Sequence, residues 1–216
     1  MIPSKSDINR PANLPRGIIS VVQTPFDSDN RVDMESLERL VEDTIHSGIN
    51  GLLAPVVASE VSWLTHAERR EIVQRITAVA SDRVPLILGA SDSSPEACIT
   101  AANLAEEVGA VAYLVAVPDD LYRKPQEIVP FFRSVAAGNS SPLIVQDFQF
   151  NGPGMSLDVI QELRESLHNL VGLKIETVPA GPKYTAVREV LPPDFFIAGG
   201  WAVMQMIEAL DRGVDA

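Results

Sequence analysis

The sequence predicts an α/β fold, a (β/α)8 TIM barrel whose eighth strand is missing. Three observations carry this. Seven short apolar runs recur through the chain, and an amphipathic stretch follows each one. The runs are continuously apolar instead of alternating, as strands buried on both faces of a parallel sheet must be. Their starts fall about 24 to 35 residues apart, the length of one βα unit.

The strands are expected at 18–22, 51–54, 85–88, 111–116, 142–145, 171–175 and 195–198. The helices are expected at 34–47, 66–80, 95–108, 126–137, 157–167, 183–190 and 202–211. Helix boundaries are punctuated. Asp33 caps the first helix and Gly48 closes it. Thr65 and Glu68 have the spacing of a capping box. Ser94-Pro95 places a cap before a proline at the first helical position, and Gly109 ends that helix. Ser156 caps the helix after the fifth strand. A doubly wound nucleotide-binding sheet would need G-x-G-x-x-G after the first strand. The turn there reads Gln23-Thr24-Pro25-Phe26-Asp27, so the barrel is preferred. Residues 1–16, polar and proline-containing, read as an irregular arm, and 17–216 as the barrel domain. Gly213-Val214-Asp215-Ala216 resembles an eighth strand cut short. The expectation is therefore a piece of a longer protein, because an open barrel leaves unpaired edges.

Composition narrows the function. A formal net charge of −12 opposes nucleic acid and anionic membrane surfaces, which need clustered Lys and Arg. No apolar run is long enough to span a bilayer, and the N-terminus lacks the apolar core of a signal peptide. The lone cysteine, Cys98, excludes an internal disulfide and fits a reducing, cytoplasmic setting. His46, His66 and His168 show no metal-ligand spacing, so neither metal nor cofactor is expected.

Active sites of barrels lie at the C-terminal strand ends. Among the polar residues there, Lys174 interrupts the apolar run Leu170-Val171-Gly172-Leu173. A lysine in a buried strand must pair with an acid or lose its proton, and the neutral amine attacks carbonyls. Glu176, two residues on, shares its face. It would either stabilise the charged lysine or iminium, or move protons; a plain buried ion pair is the alternative. Gly199-Gly200 fits a tight turn, or a phosphate site at a helix N-terminus.

Several stretches resemble the dihydrodipicolinate synthase / N-acetylneuraminate lyase family. They are Gly17-Ile18-Ile19 through Thr24-Pro25-Phe26-Asp27, Gly48-Ile49-Asn50-Gly51-Leu52, Glu60 with Leu64-Thr65, Val117-Pro118 with Tyr122, and Val171-Gly172-Leu173-Lys174. The resemblance runs from about residue 14 to the end. It implies a (β/α)8 barrel with a C-terminal helical extension, the latter absent here, and a homo-oligomer, dimer or tetramer. It also implies that Lys174 forms a Schiff base with pyruvate, a related 2-keto acid or a sugar-acid derivative, in a lyase of aldolase, dehydratase or synthase type.

The departures are specific. The family's G-T-T-G-E stretch, which holds the keto-acid carboxylate, reads Val56-Val57-Ala58-Ser59-Glu60, with Ser59 as the substitute hydroxyl. The family's catalytic tyrosine is replaced by Gln146, followed by Asp147, and the synthases' arginine is not visible at 149–154. Tyr122 matches a tyrosine able to reach a neighbouring subunit's site. The expected site is thus Lys174, Glu176 and Gln146 for catalysis, with Ser59, Glu60, Val57, Ala58, Tyr122, Asp147 and Gly199 around the substrate. Two other readings stand beside the enzyme: a family member that binds keto acids without turning them over, and an unrelated phosphate-binding barrel.

Overall fold

A computed structural model describes residues 14–216, so all but the last three residues of the expected arm lie outside the described residues. Contacts divide the chain into two compact units, Pro15–Val115 and Ala116–Asp215.

The first unit holds β1 (Ile19–Val21), α1 (Met34–His46), β2 (Gly51–Ala54), α2 (His66–Ala80), β3 (Leu86–Gly89), α3 (Pro95–Val108) and β4, whose range Ala112–Ala116 ends at the unit boundary. Its strands are parallel and lie in chain order. β2 and β3 are buried at every position, which is why their sequences run continuously apolar. The capping residues act as the sequence suggests. Asp33 accepts from Ser36 N at 3.0 Å. Thr65 and Glu68 bond reciprocally. Ser94 accepts from Ala97 N at 3.2 Å. Gly109, at φ +70°, takes the left-handed conformation that ends α3 without a Cβ clash.

The second unit holds α4 (Ile128–Gly138), β5 (Leu143–Phe148), α5 (Leu157–Ser166), β6 (Leu170–Glu176), α6 (Gly181–Val190), β7 (Phe196–Gly199) and α7 (Met206–Asp211). Here too the strands are parallel and follow chain order. Leu143 pairs with Leu170, but Ile144 pairs with Gly172, so the register shifts by one residue. From there the ladder is regular, with Gln146 opposite Lys174 and Phe148 opposite Glu176.

Where the elements differ from expectation, the causes are local. β5 runs on through Gln146, Asp147 and Phe148, because its polar end finds partners along β6. Residues 126 and 127 belong to a 3-10 turn, Pro125–Glu127, and α4 starts at Ile128. The helix expected over 202–211 is split into a 3-10 turn, Ala202–Met204, and α7; Ala202 has φ +48°, and Gln205 lies outside helical geometry at the break. The segment expected to begin an eighth strand is not a strand among the described residues. It is nonetheless tied to β7: Asp215 N donates to Ile197 O at 2.8 Å, and Asp215 Oδ2 accepts from Ile197 N at 3.0 Å. Arg188 holds Asp215 Oδ2 at 3.0 Å and Gly213 O at 2.8 Å.

Cys98 is fully buried in α3, its thiol directed at Asp92 O. Burial pushes the thiol up to about 11. At pH 8 only about 0.1 % would be thiolate, the reactive form. Native protein should therefore resist a chromogenic disulfide reagent at pH 8 for hours and react within minutes in denaturant. Rapid native reaction would contradict this packing.

Candidate active site

The β5–β6 register builds the centre of the site. Alternation along β6 puts Lys174 and Glu176 on one face, and the ladder sets Gln146 beside Lys174. The three side chains form one chain of contacts. Lys174 Nζ donates to Glu176 Oε1, and Gln146 Nε2 donates to Glu176 Oε2 at 2.6 Å. Both carboxylate oxygens are thereby engaged. The side chains of Lys174 and Glu176 are 12 % and 11 % exposed, and Gln146 is buried. The ion pair is largely desolvated, with about a tenth of each side chain left exposed. Gly200 makes room for it: a Cβ there would come within 1.8 Å of Glu176 Cγ. The glycine pair after β7 is thus explained by close approach, since a Cβ on Gly199 would come within 2.9 Å of the Tyr184 hydroxyl. Tyr184 is itself buried, and burial, aided by the charge of Glu176, pushes its phenol up to about 12.

Asp147 projects to the other side of β5, as alternation requires, and is 0 % exposed. Its Oδ1 accepts from the Tyr122 hydroxyl and from Met155 N, both at 3.0 Å. Lys183 Nζ stands 3.2 Å from Oδ2 and also donates to Pro153 O, at 2.8 Å, and to Met155 O. Burial raises the Asp147 carboxyl, and the Lys183 ammonium opposes that shift. Burial also raises the Tyr122 hydroxyl above the ordinary phenol range. Asp147 and Tyr122, expected around the substrate, are joined to each other. With Lys183 they clasp the segment 149–156 to the barrel end. Gly154, at φ +72°, threads between Asp147 and Thr177, where a Cβ would come within 2.4 Å of both. Sequence reading missed Lys183, which lies 36 positions from Asp147. Its one signal was a lysine within the first turn of a helix, where a positive charge opposes the helix dipole and asks for an acidic partner.

In the first unit, Val57–Ser59 forms a 3-10 turn after β2. The Ser59 hydroxyl donates to Val22 O at 2.6 Å and accepts from Val56 N at 3.1 Å, and the residue is 1 % exposed. The Ser59 hydroxyl, expected to face the substrate, is engaged on the backbone through both its donor and an acceptor lone pair. Thr24 Oγ1 completes the knot by donating to Ser59 O at 2.7 Å. Val57 and Ala58 are exposed, as is Glu60, which ends the turn in the left-handed region at φ 58°.

Comparison with known proteins places the chain in a family. A model of the dihydrodipicolinate synthetase family matches residues 14–216. The chain belongs to that family. Named relatives include 4-hydroxy-tetrahydrodipicolinate synthase of Bartonella quintana, 30% identical over 192 residues, which cover 86% of this chain and 63% of the relative. The enzyme of the same name from Chelativorans sp. is 32% identical over 191 residues, again 86% and 63%. Among solved structures, the chloride-inhibited dihydrodipicolinate synthase of Acinetobacter baumannii, complexed with pyruvate, superposes with a TM-score of 0.83 at 29% identity, covering 94% of this chain and 69% of that one. The fold is therefore that of the family's (β/α)8 barrel, of which the described residues hold seven βα units. The chain spans under two thirds of the length of these named relatives.

Of the residues expected to carry the chemistry, Lys174 and Gln146 meet at Glu176. The first lies against a carboxylate that the second holds in place.

The Asp147 clasp is testable. Lys183→Met would leave a buried carboxylate uncompensated, at a cost of about 3–5 kcal/mol in urea unfolding. Lys183→Met combined with Asp147→Asn should recover part of that loss. A single variant as stable as the parent would show that the pair contributes nothing.

Proposed function

We propose that the protein is a Schiff-base-forming lyase, of aldolase, dehydratase or synthase type, acting on pyruvate or a related 2-keto acid or sugar-acid derivative. The observation that carries this is the Lys174–Glu176 pair at the mouth end of β6, in a family whose named members include 4-hydroxy-tetrahydrodipicolinate synthases and a structure complexed with pyruvate. Lys174 is the nucleophile. Its Nζ bonds to the keto carbon, and the carbonyl oxygen departs as water once it has been protonated. The resulting iminium draws electrons from the neighbouring carbon, so a proton or a carbon–carbon bond there becomes labile.

Glu176 is the proton carrier. It touches Nζ directly, so it can accept the ammonium proton to free the amine and return a proton to the departing oxygen. Gln146 is a positioning residue: its amide holds Glu176 Oε2 and leaves Oε1 for the lysine. A phenol in the same place would shuttle protons itself, whereas an amide cannot. The proton work therefore falls to the carboxylate.

The non-catalytic reading draws on a different observation. The stretch 56–59 offers no free side-chain hydroxyl for a keto-acid carboxylate, since the hydroxyl of Ser59 is bonded to backbone. Backbone N–H groups would have to hold the carboxylate there.

Borohydride reduction in the presence of pyruvate and a panel of 2-keto acids separates the readings. An adduct on Lys174, absent in Lys174→Ala, is expected with at least one acid. Glu176→Gln should still form the adduct but slow turnover by about 10²–10⁴-fold. No adduct with any acid would remove the lyase account; an adduct without turnover would favour the binding protein.

A further inference from the structure

The segments that follow β5, β6 and β7 are unusual in one respect. Residues 149–157, 177–182 and 200–207 contain no Asp, Glu, Lys, Arg or His, although the chain as a whole is 21% charged. They expose apolar surface instead. Phe150 is 63% and Val178 51% exposed. The ring of Phe150 lies 5.9 Å from that of half-buried Trp201, tilted by 59°.

This aromatic pair is fixed beside the lysine's partner. Trp201 directly follows Gly200, the residue whose missing side chain is replaced by Glu176. Its indole donates to Thr177 O at 2.9 Å, one residue beyond Glu176. On the other side, Phe150 stands two residues past Phe148, the strand partner of Glu176. The segment carrying Phe150 is held by Gln149, whose side chain accepts from Gly154 N at 2.9 Å, and by the Asp147–Lys183 clasp. Lys183, the first cation after β6, is turned to Asp147 and to two backbone carbonyls.

We propose that Phe150 and Trp201 form the binding surface for the part of the substrate remote from its keto group, and that this part is uncharged and planar, such as an aryl ring conjugated to the keto acid. The inference rests on the lyase reading of Lys174 and names its substrate class. A flat ring stacks on exposed aromatic side chains that already have fixed geometry. A carboxylate tail would meet no cation on these three segments, and would be desolvated near the charge of Glu176 without a partner.

The test compares two 2-keto acids with tails of opposite character, 4-phenyl-2-oxobut-3-enoate and 2-oxoglutarate, with pyruvate as the tail-free reference. Borohydride trapping on Lys174 gives the half-saturating concentration for each. The aryl acid should saturate at a concentration about tenfold or more below that of 2-oxoglutarate. Phe150→Ser and, separately, Trp201→Leu should raise the aryl acid's value about fivefold more than pyruvate's. Equal or tighter binding of 2-oxoglutarate, or equal shifts for the aryl acid and pyruvate in both variants, overturns the aromatic subsite while leaving the Schiff base standing. No trapping with any of the three acids overturns both.

Discussion

A one-residue slip between β5 and β6 sets the geometry of the site. Had the pairing begun by Leu143–Leu170 continued unshifted, Lys174 would stand opposite Asp147 and not Gln146. The two strands would then present their polar residues on mismatched faces. The shift places an amide, an ammonium and a carboxylate on one side, and leaves Asp147 on the other to find Lys183. Each side carries a charge pair removed from most of its water. Such pairs persist only when the remaining lone pairs are also satisfied. Gln146 engages Glu176 Oε2, while Tyr122 and Met155 N engage Asp147 Oδ1 and leave Oδ2 to the Lys183 ion pair.

The two pairs have different characters. The Lys174–Glu176 pair keeps roughly a tenth of its side-chain surface exposed. Asp147 keeps none, and its contacts reach three carbonyl or amide groups of one loop through Lys183 and Met155. The first arrangement suits chemistry and the second holds shape. Two carboxylates one strand apart thus divide the work, and their neighbours decide which does what.

Much of this was legible in the sequence. The βα rhythm, the caps at Asp33, Thr65, Ser94 and Ser156, and the lysine interrupting an apolar strand are signals written in neighbouring residues. Alternation alone placed Glu176 with Lys174 and turned Asp147 away from Gln146. Partners set by tertiary packing were not legible. Nothing near Ser59 in the sequence announces Val22 O, 37 positions away, as its acceptor. Nothing near Asp147 announces Lys183. The extra length of β5 was hidden for a related reason. Gln146 and Asp147 look like a strand's polar end until β6 supplies partners for their backbone. The split at Gln205 was hidden because the apolar residues 202–207 read as helix, and backbone geometry at Ala202 overrides that tendency.

The contact between Asp215 and β7 bears on how β7 is tied to α6. Ile197 has its outward N–H taken by a side-chain oxygen and its outward carbonyl taken by the amide of the same aspartate. Asp215 therefore bonds to Ile197 through both its backbone amide and its carboxylate. The same carboxylate is gripped by Arg188 of α6. A helix side chain thereby reaches the backbone of β7 through one acidic residue.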